Sequence, residues 1–514
     1  MTLPAPSITA MQQAILPVRW LKVLDQTKCI GCHACTTACK SENEVPVGVT
    51  RTYVKAVEVG LFPQVRRVFQ VTRCNQCSDA PCALACPTRA MFRRRDGIVD
   101  FDKSICIGCK ACMAACPYDA IFINPEDHSA EKCNLCAHRL EIGLEPACVT
   151  VCPTGAIIVG DGNDPSSLVA RILALEPGKV RKPEKRTWPG VHYLGVHTAT
   201  LDPLAARRPD GGLYAWALQG PGGASSVVAG NPAPTSSDTD ALVSYDVPHR
   251  APWGLPVSLY TWTKSIATGA FAVPVLLALA GRISWTNAAV RWAAPVTALV
   301  FLAITGALLV ADLKHPRRFF LIFTRRQWHS WLVRGTFVIC SYGVVVLLYL
   351  LTGAATRRVL AWPGLVLALS AAVYTACLLR QARGRDLWQS PLLAPQLAVQ
   401  ALLAGAAAML PVLWWLSTTE AVNAGEVILA IAAGADVLMT AGETMTRGAS
   451  KHARLAVHDM TGGDCARFFW PGLLLVSFAV AAPWLGLAAT PIALAGLLAH
   501  EHAFIRAEQS VPLA

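Results

Sequence analysis

Charge is what this sequence has least of. Only 15% of its 514 residues are charged, against 54% hydrophobic, which excludes an ordinary soluble protein. Acidic residues are the scarcer sign, 33 against 45 basic, leaving a formal net charge of +12. A basic excess suits nucleic acid, anionic lipid or an acidic partner protein; the long apolar runs point to lipid, and no nucleic acid partner is expected. No nucleophile–base pair and no nucleotide-binding loop is present, so the chain alone is not expected to turn over a polar substrate. The opening MTLPAPSITAMQQAILPVRWLKVLDQ lacks both a basic region followed by an apolar core and a twin-arginine pair, so no export signal is expected there. Beyond Cys152 cysteine almost disappears. Cys340, Cys377 and Cys465 stand singly, and buried packing is expected for each.

The other sixteen cysteines are concentrated in four runs. The first, CIGCHACTTACK, holds Cys29, Cys32, Cys35 and Cys39. The second holds Cys74, Cys77, Cys82 and Cys86; the third Cys106, Cys109, Cys112 and Cys116; the fourth Cys133, Cys136, Cys148 and Cys152. Disulfide scaffolds are usually short secreted chains, and this one is long. The spacing CxxCxxCxxxCP is that of bacterial ferredoxins, in which three thiolates of a tight loop grip one [4Fe–4S] cube and the fourth reaches a neighbouring one. Zinc is the alternative, since it too takes four cysteines in CxxC pairs, though three in one seven-residue loop is unlike structural zinc sites.

Sixteen ligands make four clusters of four. Cross-ligation pairs Cys74, Cys77 and Cys82 with Cys116, and Cys106, Cys109 and Cys112 with Cys86. It likewise pairs Cys29, Cys32 and Cys35 with Cys152, and Cys133, Cys136 and Cys148 with Cys39. The expected fold is an α+β double ferredoxin-like domain over residues 20–160, two ferredoxin folds nested in one.

These spacings, their order, and the phrases CKSENEVP and CNQCSDAPC resemble the iron–sulfur subunit of the dimethyl-sulfoxide reductase family. The resemblance implies an electron wire between a molybdopterin-containing catalytic subunit and a membrane partner. Some relatives replace one third-run cysteine with tryptophan and hold a three-iron cluster; Cys109 here implies four [4Fe–4S] clusters.

Residues 161–256 read as an extension and flexible linker, with LQGPGGASSVVAGNPAPTSSDTDALVS rich in Gly, Pro, Ala and Ser. RKPEKR reads as a solvated face, and Trp188, Tyr214 and Trp216 are expected to pack on the cluster domain. From 257 to 508 apolar runs of about 20 residues recur, the length that crosses hydrocarbon as helix. About eight are expected: 258–281, 289–311, 332–353, 359–379, 394–416, 422–441, 468–486 and 488–506, the last two so close that seven is the alternative. This is an all-α transmembrane bundle. An even number puts both its ends on one side, where fourteen Lys and Arg fall in the connections, against Arg282, Arg291, Arg357 and Arg358 opposite. The positive-inside rule then places the iron–sulfur domain in the cytoplasm of a cell (inner) membrane protein; a periplasmic placement is the alternative if the basic loops are docking surface.

The connection DLKHPRRFFLIFTRRQWHSWLVRG, Asp312–Gly335, mixes aromatic residues with Arg and His. It resembles the signature DLGRPxRF…WSWLxRG of the polysulfide-reductase membrane subunit (NrfD-like) family through Asp312, Pro316, Arg318, Trp328, Ser330, Trp331 and Arg334, with Lys314 and His315 replacing Gly-Arg. GASKHARLAVHDMTGGDCARFFWPG is also similar to that family. The resemblance implies a quinone-reactive anchor, so that the chain is a fusion of two normally separate subunits. Asp312, His315, Arg318, Trp328, His329 and Arg334 are the candidate quinone residues, with interfacial snorkelling their other reading. Lys264, Glu426 and Asp436 fall inside expected spans, where ionisable groups are functional or form structural ion pairs. Bis-histidine haem needs histidines in helix interiors; His315, His329, His452 and His458 lie in connections and only His500 and His502 approach a helix end, so no haem is expected.

The function expected is an electron-transfer and membrane-anchor subunit of a molybdopterin oxidoreductase, passing electrons between the catalytic subunit and the membrane quinone/quinol pool. A redox-driven proton-translocating module using Lys264, Glu426 and Asp436 is the alternative, and a redox sensor a third class that lacks an output domain. The partner's substrate is not written in this chain.

Overall fold

The computed structural model describes residues 18–207, 241–445 and 450–514. It divides into two compact units, Met1–Arg250 with Pro512–Ala514, and Ala251–Val511.

Among the described residues the first unit carries ten short strands: β1 Trp20–Asp25, β2 Thr52–Val59, β3 Arg66–Arg73, β4 Met91–Arg93, β5 Val99–Phe101, β6 Ile121–Ile123, β7 Ala130–Lys132, β8 Ile157–Asp161, β9 Val191–Leu194 and β10 Ala241–Tyr245. One sheet has the order β8-β1-β9 and a second β10-β2-β3; β4–β5 and β6–β7 are hairpins. β2 and β3, TYVKAVEV and RRVFQVTR, are rich in β-branched residues that suit a pleated surface, and pair antiparallel from Thr52 opposite Arg73 to Val59 opposite Arg66. Short helices Ala34–Glu42, Pro81–Ala85, Ala111–Ala115 and Ala147–Thr150 each carry cysteines onto the sheets.

The described parts of this segment, residues 161–207 and 241–256, carry more structure than a linker. β9 pairs parallel with β1 from Lys22 opposite Val191, and β10 pairs antiparallel with β2. Backbone hydrogen bonding to an existing strand edge gives this segment a fixed place that composition does not show. Residues 218–240 of the Gly/Pro-rich stretch, with Tyr214 and Trp216, lie outside the described residues. Trp188 is 69% exposed and does not pack as expected. Nor is RKPEKR wholly solvated: Arg181 is buried, its guanidinium 5.8 Å over the Tyr118 ring.

His249 closes this unit in a polar pocket. Its Nδ1 is 2.7 Å from Asp119 Oδ2 and its Nε2 3.7 Å from Asp246 Oδ1, with the Tyr53 hydroxyl at 3.2 Å. Burial alone would lower its pKa, but Asp119 and Asp246 lift it from 6.5 to about 9. A group charged in the folded state and neutral when unfolded stabilises fully below its unfolded pKa and loses that effect as pH rises through the folded one. The thermal midpoint of this unit should therefore fall as pH climbs from about 7 to about 10, by the equivalent of about 3 kcal/mol. In His249→Gln, calorimetry over the same range should show a flatter slope.

Among the described residues of the second unit seven helices are long and apolar enough to cross a membrane. They are α1 Leu255–Leu279, α2 Ala294–Ala311 (preceded by a π-helical turn, Ala289–Ala293), α3 Trp331–Leu351, α4 Ala354–Arg380, α5 Leu393–Leu416, α6 Thr419–Met445 and, after the connecting helix α7 Lys451–Gly462 and the short α8 Ala466–Ala479, α9 Ala489–Ser510. All eight expected positions are helical, but the seventh, α8, has only 14 residues and breaks before a further turn at Ala482–Leu485. Arg357 and Arg358, expected in a connection, start α4 instead, and Arg357 is buried with Nε donating to Thr352 O at 2.8 Å.

α1 is the axis of the bundle: 83% of its apolar window is buried, against 22% for α3, whose outer face is left for lipid. Gly269 and Gly405 let α1 and α5 cross closely, since a Cβ on Gly269 would lie 1.8 Å from Ala401 O. Small residues at such crossings replace the hydrophobic drive that lipid removes. The chain enters and leaves this unit at one end: Trp253 N donates to Gln509 Oε1 at 2.9 Å, and Trp253 stacks near Trp388 at 5.6 Å. At the other end Arg282 pairs with Glu420 at 2.6 Å. Of the three scattered cysteines only Cys465 is buried, while Cys340 is exposed on the outer face of α3.

Candidate functional site

In each cysteine run the residue before the second cysteine is left-handed: Gly31 (φ 71°), Gln76 (φ 48°), Gly108 (φ 68°) and Leu135 (φ 58°). This turns successive sulfurs inward. In the first and third runs glycine supplies the conformation at no steric cost; at Gly31 a Cβ would also strike the Phe69 ring at 2.3 Å.

The four runs close on one another across the sequence. Cys86, Cys106, Cys109 and Cys112 line one cavity, Cys29, Cys32, Cys35 and Cys152 a second, and Cys74, Cys77, Cys82 and Cys116 a third. Each of these cavities is ringed by four cysteines, three from one run and one from another. Asn43 Nδ2 reaches both Cys39 Sγ and Cys136 Sγ at 3.7 Å, and Cys133, Cys148 and Cys136 all act electrostatically on Cys39, which makes the fourth set. Every one of the sixteen thiols is free of disulfides. Among the described residues no trio of His, Cys, Asp or Glu converges on a single point as one zinc ion would require; the sulfurs stand around a hollow. A four-iron cube fits that geometry, and its ligand sets are those that cross-ligation demands.

The sets lie in a row. Cys112 is in electrostatic reach of Cys82, Cys74 of Cys133, and Cys35 of Cys148. The two inner sets are wholly buried, whereas the outer sets include exposed Cys32 and half-buried Cys29, Cys152 and Cys109. Burial raises most of these thiols, Cys39 to about 12 and Cys116 to about 11. Cys148 goes the other way. Burial would raise it, yet Lys22 and Arg73 beside it bring it down to about 7. Sulfurs are also held by backbone donors, Met91 N to Cys86 at 3.3 Å and Ala130 N to Cys106 at 3.5 Å.

In the helical unit a narrow cavity opens near the Trp253 end, between the first turns of α1 and α5 and the last turns of α4 and α9. Its polar lining is Tyr260, Thr261, Thr375, Gln396, Gln400, His500 and Glu501. Asp436, fully buried on α6, accepts from Gln400 Nε2 at 3.0 Å and Gln396 Nε2 at 3.4 Å, with His500 Nδ1 at 3.6 Å. Both carboxylate oxygens of Glu501 are buried without a hydrogen-bond partner, with Lys264 and Asp436 in electrostatic reach. Lys264 donates to Thr375 Oγ1 at 2.6 Å and Ala372 O at 2.8 Å. Glu426 is elsewhere, beside Gly486, so the structure joins Lys264 and Asp436 through Glu501 rather than through Glu426.

Comparison with known proteins adds the family. Residues 65–162 match the 4Fe-4S dicluster domain, and residues 244–500, half of the chain, match the polysulphide reductase, NrfD, model. This protein belongs to the NrfD polysulphide reductase family. Its NrfD bundle follows a unit that binds 4Fe–4S clusters. That first unit is similar to a tetrathionate reductase subunit of Salmonella typhimurium, 46% identical over 37% of this chain and 77% of that one. It is also similar to a polysulfide reductase subunit of Wolinella succinogenes, 44% identical over 30% and 82% respectively. A third relative, the arsenate respiratory reductase iron-sulfur subunit of Shewanella sp. strain ANA-3, is 36% identical over 34% and 97%.

Within the NrfD bundle the Asp312–Gly335 connection is largely self-bracing. Arg334 Nε donates to Trp328 O at 2.6 Å, its guanidinium lies 5.0 Å over the Trp331 ring, and Gln381 Nε2 donates to His329 O at 2.9 Å. His315 precedes the short turn Pro316–Arg318, and Arg318 is its last residue. Asp312 ends α2 and is in electrostatic reach of Tyr260, which lines the cavity. Sequence reading missed Tyr260, Gln396, Gln400, His500 and Glu501. The signal was HEH, residues 500–502 of an apolar run, which the structure places two turns inside α9 and not at its end.

Proposed function

We propose that this chain carries electrons between a molybdopterin-containing catalytic subunit and membrane quinone or quinol, through four [4Fe–4S] clusters held by the sixteen cysteines. The observation that carries the reading is the row of four four-cysteine cradles on the same chain as an NrfD bundle with a polar cavity. Each cluster, when bound, takes up and gives back one electron. The residues around them exclude water from the inner two sets and leave the outer two near the surface, so that electrons enter and leave the row through the outer sets. Names of relatives as reductase subunits support a catalytic partner; copurification would reveal it and, with it, the substrate.

The quinone head group fits the cavity near the Trp253 end, where an apolar wall and a few convergent polar groups meet the usual form of a small-molecule site. Tyr260, Gln396 and Gln400 offer hydrogen bonds to its carbonyls, and Glu501 is placed to hold or release a proton as the quinone changes redox state. Asp312, His315, Arg318, Trp328, His329 and Arg334 form its approach from the membrane surface. No haem enters this path: His500 leans on Asp436 and His502 on Ser258 Oγ at 3.0 Å, and two residues apart on one helix they face different ways. Reconstituted into vesicles, the chain should lose its visible iron–sulfur absorbance within the mixing time of an added quinol, or regain it from reduced protein on adding quinone. Absorbance indifferent to either would sink the reading.

The Trp253 end carries the basic connections, so the iron–sulfur unit belongs to the cytoplasmic side. Not every basic residue there serves that rule: Arg385 is buried, NH1 donating to Glu508 O and Val511 O at 2.8 Å. A reporter fused after Ala514 should be active in the cytoplasm; activity only outside would reverse the orientation.

A further inference from the structure

Three basic side chains are buried among the cradles without a carboxylate. Lys22, Arg73 and Lys132 are each 1% exposed or less, and among the described residues none of them pairs with Asp or Glu. An isolated buried cation is costly unless compensated. Arg73 is the extreme case. Its NH1 donates to Cys148 Sγ at 3.2 Å, while its buried Nε and NH2 have no partner in the protein. Lys22 Nζ reaches the same sulfur at 3.7 Å.

These cations are unevenly distributed along the row. Arg73 has Cys148 and Cys133 of one inner set as neighbours, and Cys35 of the adjoining outer set. Lys132 acts on Cys74 and Cys82 of the other inner set, and Lys22, against Cys148, also acts on Cys74. In the set of Cys86, Cys106, Cys109 and Cys112 the cation acting on Cys109 is the partly exposed Lys110. A thiolate-ligated cluster becomes more negative on reduction, so a fixed cation against its sulfur favours the reduced form. Hydrogen bonds to sulfur act in the same direction.

We propose that Arg73, with Lys22, is the fixed counter-charge of the cluster held by Cys39, Cys133, Cys136 and Cys148, and makes it the most easily reduced of the four. This rests on the reading of the cysteines as cluster ligands. An electron entering from either end then settles in the dry interior of the row, away from the surface thiols of the outer sets. Arg73 is a positioning residue in this sense: it touches a ligand sulfur, not the substrate, and sets where the electron rests.

The test is an EPR-monitored redox titration of the full chain, with iron and sulfide assayed on the same samples. Cys148→Ser assigns the signal. In Arg73→Gln the reduced-to-oxidised ratio of that cluster at a fixed potential should fall about tenfold, equal to about 59 mV for one electron. Lys22→Gln should move it the same way and Arg73→Lys much less. Should Arg73→Gln lose its iron, Lys22→Gln gives the reading; if both neutral variants lose iron while Arg73→Lys keeps it, the charge is what holds the group. An unmoved signal in an iron-replete neutral variant overturns the proposal, as does loss of iron in all three. Parental protein short of about sixteen iron would instead defeat the four-cluster reading.

Discussion

Anaerobically purified parental chain should contain about sixteen iron and sixteen sulfide, four of each for every cube, and negligible zinc. Each cradle draws its fourth sulfur from a distant run, so single substitutions should act on one set at a time. Cys82→Ala removes a fully buried member of an inner set. About four iron should go with it, leaving about twelve, and the row should be cut in the middle. Cys109→Trp strikes an outer set at a half-buried cysteine and should leave a three-iron form with its own EPR signature. Four zinc and no sulfide per chain would restore the zinc alternative; about eight iron in parental protein would leave two cradles without a role.

Glu501→Gln should slow electron exchange with a quinol analogue by about 10²-fold or more while iron content stays parental. A positioned acid or base contributes on that scale, and Glu501 is the carboxylate whose two oxygens are buried at the cavity without a hydrogen bond. Glutamine keeps the shape and removes the charge and the transferable proton. Asp312→Asn, at the edge of the site, should have a smaller effect. A parental rate in Glu501→Gln with a slow Asp312→Asn would move the head group out to the Asp312–Gly335 connection. Parental rates in both would remove quinone exchange from this end of the bundle.

Those two experiments divide along the line between what was legible in sequence and what was not. Thiolate spacing is a local property: CxxCxxC bends over seven residues, and its Gly31 and Gly108 turns are set by the chain itself. The cysteine loops and the apolar helices were therefore legible in the sequence alone. Hydropathy counts residues and not helical breaks, so it did not show that the run expected over 468–486 divides into α8 and a further turn at Ala482–Leu485. Strand edges are also invisible to composition, and β9 and β10 came out of a stretch that looked like linker. Only the tertiary structure could choose the polar site. Asp436, Gln396, His500 and Glu501 come from three helices separated by up to about a hundred residues, and each alone looks like a costly misfit in an apolar run. Packing α1, α5, α6 and α9 together turns those misfits into one buried constellation, because a polar group in a dry bundle is stable only where others converge on it.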